Sequence, residues 1–409
     1  MGASLVDASA SEQTGMRRGL PDSAGWAAIV FAVAVVVAVP VIIHTNREQW
    51  FFLDEWDFLA DRSLTSPHDL LRPHNDHWST IPVVLYRSVW QGAGLHHYWP
   101  YQMLTIVGHL ATAILLRLVM RRAGADPWIA TAAAGLFLFF GTGRENIGWG
   151  FQIGFTGALV FGLGHLVLAD HDGPMDRRDL AGMGCGLASL MCSGIGVPMV
   201  VAVGAAVLMR RGWRTAFAHT APLALVFGLW YLGYGHESRD APLRVGGDTL
   251  RLVRNMVDAT VSGLGGSRGV GLVVVALTVV GLVLAVRNQT LDQTRRTYAA
   301  TAGLLVGAVV LVAMTSLGRG NFSTAAASRY LYLLAALLLP AIVAGLTSLA
   351  ARWRPFAAVA LVLLIAGLPT NLDRLTPRGE QRFLLGTPQV LALANSPNLE
   401  HAPRSLRPA

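Results

Sequence analysis

Long apolar runs alternate with short arginine-bearing polar segments along this chain. The runs lie near positions 25–43, 99–120, 127–141, 151–169, 180–193, 195–209, 215–234, 269–286, 298–316, 330–349 and 354–369. A membrane-spanning helix needs roughly 17–25 apolar residues, and most of the runs meet that. The three at 127–141, 180–193 and 195–209 fall short, and the last two could instead form one re-entrant pair. A further stretch at 80–92 is interrupted by Arg87. It is either an interfacial piece or part of an extended second span. The pattern predicts an all-α, polytopic transmembrane helical bundle of about 11 spans.

The first run has Arg17 and Arg18 before it, as a signal peptide would. It is too long for a signal-peptide core, and no small-residue cleavage site follows it, so it reads as an uncleaved first span. The expected division is a disordered N-terminus at 1–24, a membrane domain at 25–370 with a long first loop at about 44–80, and a polar, proline-dotted tail at 371–409. In the first loop Trp56, Phe58, Leu59 and Leu64 fall near helical spacing among acids, which predicts a short interfacial amphipathic helix.

Composition agrees with a membrane protein. Hydrophobic residues make up 53% and charged residues 14%, against roughly a quarter charged in soluble domains. The 44 glycines allow close helix packing. The net charge of +8 comes entirely from arginine, since the sequence has no lysine. These arginines cluster at helix ends, so they point to membrane orientation rather than to nucleic acid. Arg117, Arg121 and Arg122 close the second span. Arg177 and Arg178, then Arg210, Arg211 and Arg214, then Arg287, Arg295 and Arg296, then Arg352 and Arg354 follow later ones. With about eleven spans all fall on one face. Taken as cytoplasmic, that face sets the N-terminus inside and the first loop outside. Lysine absence with much Ala, Gly and Val suggests a high-GC bacterial gene, hence a bacterial plasma membrane. Cys185 and Cys192 lie seven residues apart in one predicted helix, too far for a disulfide.

The first loop concentrates the candidate chemistry. Seven of the chain's 24 acids (Glu48, Asp54, Glu55, Asp57, Asp61, Asp69 and Asp76) lie there with His68, His74 and His77. Gathering like charges at a membrane surface is costly, which marks a candidate site. Asp54, Glu55 and Asp57 beside a helix start could share a divalent cation such as Mg or Mn, or one could take a proton from a hydroxyl. Otherwise they form a solvated acidic loop. His74, Asn75 and His77 are candidates for a substrate cleft or for metal ligation, the alternative being solvated loop histidines. In the glycine-rich second outer loop, Arg144 and Glu145 could pair with each other, or Glu145 could join Asp54 and Glu55 around a metal. Arg319 and Arg329 sit at outer ends of spans, where the positive-inside bias does not explain them. Arg suits a bidentate phosphate contact, and snorkelling is the alternative. His109 and His165, inside spans, read as satisfied bundle residues.

A bundle whose long acidic first loop begins soon after the first span resembles the GT-C superfamily of integral-membrane glycosyltransferases. Asp54 and Glu55 match the superfamily's first-loop acidic motif. The Pro73-His74-Asn75-Asp76-His77 run and the Arg319…Ser328-Arg329-Tyr330 segment are similar to actinobacterial membrane proteins of this kind. The chain lacks the sizeable C-terminal soluble domain of larger members. The resemblance implies sugar transfer from a polyprenyl-phosphate donor on the outer face, among membrane lipids, with the donor phosphate near Arg319 or Arg329. Asp54 or Glu55 would deprotonate the acceptor or hold it through a metal, and the anomeric centre would invert. Two competing classes are a transporter or lipid flippase, and a non-catalytic scaffold of the same fold. The transporter reading is weakened by the crowding of acids at the surface and the lack of a visible repeat.

Overall fold

In a computed structural model, residues 22–52, 54–60, 62–235, 247–318 and 327–376 are described. Their elements are helices: α1 (Ser23–Thr45), α2 (Glu55–Leu59), α3 (Pro67–Leu71), α4 (Thr80–Ala93), α5 (Trp99–Arg122), α6 (Pro127–Leu138), α7 (Glu145–Gly148), α8 (Ile153–Ala169), α9 (Arg177–Cys192), α10 (Gly196–Arg211), α11 (Trp213–Gly233), α12 (Gly247–Gly265), α13 (Arg268–Arg287), α14 (Leu291–Gly318), α15 (Ser328–Arg352), α16 (Phe356–Ile365) and α17 (Leu368–Leu375). Arg319, Asp61 and the 236–246 segment lie outside the described residues.

Local chemistry sets the helix ends. The Asp22, Asp126 and Ser267 side chains accept hydrogen bonds from first-turn amides of α1, α6 and α13, satisfying donors that have no intrahelical partner. Asp176 and Asp179 close a reciprocal capping box on α9. Gly212, at φ +87, separates α10 from α11, a conformation that glycine adopts without steric cost.

Eight helices among the described residues are long and apolar enough to cross a membrane: α1, α5, α8 with the turn before it, α11, α13, α14, α15, and α16 with α17. The other three expected spans are helical but shorter. α6 has 12 residues, and α9 and α10 have 16 each. The 80–92 stretch is not an extension of the second span. It forms its own helix, α4, broken from α5 at Gly94 with φ +63. The body runs past position 370, because α17 includes Asn371, which is fully buried and donates to the Gly263 and Gly367 carbonyls.

α15 is the central element, with 78% of its apolar window buried inside the protein. Its neighbours approach through small residues. Gly281 of α13 lies against Gly345 of α15, and Gly303 and Gly307 of α14 lie against Ala202 and Ala206 of α10. In hydrocarbon, such close backbone approach supplies the dispersion that holds helices together. The outer faces are apolar, as lipid contact requires: α11 exposes Phe217, Leu225, Leu229 and Leu232, and α13 exposes Val279, Val280 and Val283.

The bundle has two chemically different ends. At one, Asp179 is fully buried and paired with Arg211 (2.5 Å) and His219 (2.9 Å), and His219 Nδ1 meets His165 Nε2 at 3.0 Å. Arg210 there pairs with Asp170 at 2.8 Å. At the other end the first loop, the 141–152 turn and the start of α15 converge. α9 starts at the first end, with Asp179, and finishes at the second, where Gly194 lies against the His77 ring.

Candidate functional site

Two tyrosines and a carboxylate anchor the first loop. Glu55, in α2, points into the protein and is fully buried. Its Oε1 accepts from Tyr86 of α4 (2.6 Å) and from Tyr98 (2.9 Å), and its Oε2 from the Phe52 amide (2.8 Å). Burial raises its pKa to about 7, with these hydrogen bonds opposing the rise. The Tyr98 hydroxyl also accepts from the Gly150 amide (2.8 Å). One carboxylate therefore ties the first loop to the second. Around it Phe51, Phe58, Tyr86, Tyr98 and Tyr101 form a small aromatic core.

Asp54 faces the other way. Its Oδ2 accepts from the Asn75 side-chain amide at 3.3 Å. The same amide nitrogen lies 2.9 Å from His74 Nε2, and His74 Nδ1 lies 3.5 Å from Asp57 Oδ2. Burial, reinforced by Arg62 and Arg72, holds the His74 pKa down at about 4, so the ring is neutral at physiological pH. A neutral ring facing Asp57 through Nδ1–H offers its Nε2 lone pair to Asn75. The result is a continuous polar line, Asp57–His74–Asn75–Asp54.

A tight turn makes that line possible. His74 and His77 exchange backbone hydrogen bonds of 3.0 and 2.9 Å. The intervening Asn75 and Asp76 take φ of 46 and 66. Positive φ at both central residues defines the mirror-image hairpin turn, which Asn and Asp tolerate best after glycine. Arg62, buried beneath it, donates to the Asp69, Arg72 and Pro73 carbonyls.

The second loop latches onto α15. Glu145 Oε2 accepts from Arg329 at 2.9 Å, the Glu145 amide donates to Ser328, and Asn146 donates to the Arg329 carbonyl. The Glu145–Arg329 pair is partly exposed. Between this pair and the polar turn stands an aromatic wall. Phe52 meets Trp149, Phe151 stacks on Phe58 at 4.9 Å, His74 meets Phe151, His77 meets Phe155, and Phe155 meets Tyr330. Arg144 is half-buried beside Glu145.

The structure thus brings together Asp54, Asp57, His74 and Asn75, and separately Glu145 with Arg329. It does not gather Asp54, Glu55 and Glu145 around one point. Among the described residues, only His171, Asp176 and Asp179 place three ligand atoms within 4.8 Å of one another, and Arg178 and Arg211 already neutralise those two acids. Glu55 Oε1 is held by two tyrosines, its Oε2 by the Phe52 amide, and Glu145 Oε2 by Arg329, so the expected three-carboxylate metal site does not fit this geometry. Neither Tyr86 nor Tyr98 stands out in the sequence as a partner of Glu55. Their separations of 31 and 43 residues from Glu55 leave no local signal. His109 is hydrogen-bonded through both ring nitrogens inside the bundle, whereas His165 is bonded through Nε2 alone and its Nδ1 is buried without a partner. Both cysteines are free.

The family model for glycosyltransferase family 87 matches residues 97–317, more than half of the chain. The match spans α5 through most of α14 and contains Arg144 and Glu145. The first-loop acids precede it and Arg329 follows it. No curated protein and no solved structure matches the chain.

Proposed function

Because the chain belongs to glycosyltransferase family 87, a GT-C type family of membrane glycosyltransferases, we propose that it moves a sugar from a polyprenyl-phosphate donor to a hydroxyl acceptor at the outer membrane surface. In this reading α6, α9 and α10 are three further crossings, giving eleven. The arginine-rich end is then cytoplasmic and the first loop extracytoplasmic.

The observation that carries the reading is the pairing of two unlike sites at one end of the bundle. One is a carboxylate held by a structured polar turn. The other is an arginine at the membrane edge with a carboxylate neighbour. An aromatic wall, able to stack against a sugar face, lies between them.

Asp54 is the proposed base, since its carboxylate is half-buried at the loop surface and is oriented by the Asn75 amide. The acceptor oxygen attacks the anomeric carbon from the face opposite the phosphate. The bond from that carbon to the phosphate oxygen breaks, and the acceptor proton passes to Asp54. The configuration inverts, and the polyprenyl phosphate leaves with its charge beside Arg329. Arg319 and Arg144 are further candidates for that phosphate contact. Asp57, His74 and His77 line the acceptor side. Glu55 acts by holding the loop, since its oxygens face protein. No step requires a metal.

The test is transfer of labelled sugar from a panel of polyprenyl-phosphate donors by purified protein in nanodiscs. Asp54→Asn should lower turnover by roughly 10²–10⁴, the usual contribution of a general base. A correctly folded Asp54→Asn protein that transfers sugar at the wild-type rate would remove Asp54 from this role.

A further inference from the structure

A cavity of about 320 Å³ opens at the arginine-rich end of the bundle, away from the candidate active site. It lies between the α5–α6 turn, the last turn of α13, the first turns of α14 and the last turns of α15. Its polar lining is Asn288, Gln289, Tyr298, Thr347, Ser348 and Arg352. The rest is small, mostly alanine, so the walls leave room rather than fill it. At about 30 Å³ per water, the space holds roughly ten waters, which is room for a phosphate and a glycerol with water around them.

We propose that this cavity binds the phosphate group of an anionic phospholipid. Three observations converge. First, its lining contains one cation and no carboxylate. Asp126, one residue from the lining, is turned away to cap α6 through its contacts with the Trp128 and Ile129 amides. Second, the lining offers donors in excess. Arg352 is exposed and makes no ion pair or side-chain hydrogen bond among the described residues. The Thr347 hydroxyl accepts from the Asp126 amide (3.2 Å), which leaves its own O–H to donate. The Gln289 side chain is engaged with the Tyr298 hydroxyl, so the donors left to a ligand are Arg352 and Thr347. Third, the same end of α13 exposes Val283 and Val286, an apolar track for an acyl chain beside the cavity mouth. Basic pockets between transmembrane helices are a recurrent form of anionic-lipid site. Arg contacts to phosphate are among the stronger hydrogen bonds available. This site is independent of the sugar-transfer reading, and its test does not depend on activity.

The experiment is a lipid titration of the delipidated full-length protein in neutral detergent, read by native mass spectrometry. Phosphatidylglycerol, phosphatidylcholine and inorganic phosphate are the three probes. The expected result is one phosphatidylglycerol retained by the wild type at concentrations where phosphatidylcholine is lost. Arg352→Ala should need roughly tenfold more lipid or beyond, while Arg354→Ala, two residues on and outside the lining, should match the wild type. Arg352-dependent retention of inorganic phosphate in place of lipid would support the phosphate site and assign it to a soluble ligand. Equal retention of both lipids, or equal losses in the two arginine variants, would overturn the proposal in favour of diffuse surface charge.

Discussion

Asp54 and Glu55 are adjacent, yet one faces the cleft and the other is buried among tyrosines. Successive residues at a helix start point about 100° apart, so two neighbouring acids cannot both converge on one ligand when one side of the helix is packed. Sequence spacing marked the acidic stretch as a candidate place and could not divide its labour. Burial gives Glu55 a testable signature. Its carboxyl pKa is about 7 when folded and 4.5 as a free side chain. The folded state therefore holds this proton more tightly. The stabilisation is complete below pH 4.5 and is lost as pH rises through 7, by about 1.4 kcal/mol per pH unit between those limits. His74 works in the opposite sense. Its folded value near 4 lies below the free value of 6.5, so its contribution is present above pH 6.5 and lost as pH falls towards 4. Comparing wild type with Glu55→Gln isolates the first effect. The variant should gain relative stability from pH 5 to 7 and hold that gain above it, in thermal denaturation followed across pH. Asn75 supplies the second residue-scale prediction. Asn75→Gly keeps the left-handed backbone and deletes the amide that bridges His74 and Asp54. We expect turnover to fall roughly tenfold with little change in KM, because one hydrogen bond to a charged group is worth about 1.5–3 kcal/mol and only part of that bears on orientation. Unchanged turnover would show that Asp54 needs no such support.

Helices were the most legible elements. The apolar runs at 99–120, 151–169, 269–286 and 330–349 became α5, α8, α13 and α15 with ends shifted by a few residues, because hydropathy records the medium directly. The independence of α4 was less visible, since Gly94 breaks the chain through a backbone angle that composition does not reveal. The polar cluster joining α8, α9, α10 and α11 was also hidden. Asp179 follows Arg177 and Arg178 in the sequence with nothing local to mark it. In the structure it is a fully buried carboxylate held by Arg211 and His219, with His165 behind. Removing one member of a buried ion pair leaves an uncompensated charge, at a cost of about 3–5 kcal/mol. Arg211→Ala should therefore sharply lower the yield of monodisperse protein and its melting temperature. Asp179→Asn combined with Arg211→Met should recover much of the loss, since neither charge then remains buried alone. A single variant as stable as wild type would show that water already reaches this cluster.

For the whole molecule, the arginine pattern is the ground for the proposed sidedness, and the structure shows what each end holds. The first loop, the 141–152 turn and the start of α15 meet at one end, and the Asp179 cluster and the phosphate-sized cavity lie at the other. Single cysteines read this directly. Thr65→Cys should react with an impermeant maleimide added outside intact cells. Met175→Cys, exposed between α8 and α9, should react only after the cells are opened. The reverse pattern would invert the topology and place the candidate active site in the cytoplasm. The two 16-residue helices α9 and α10 carry a further consequence. At 1.5 Å per residue each is about 24 Å long, against a hydrocarbon layer of about 30 Å. If both cross the membrane as proposed, lipids beside them must compress, or headgroups must sink, to meet their ends. The polar turn at His77, seated against Gly194 where α9 gives way to α10, would then lie below the surrounding headgroup plane. A lipid-anchored sugar would approach it through a dimple in the bilayer, with less of its polar head withdrawn from water than a flat membrane would demand.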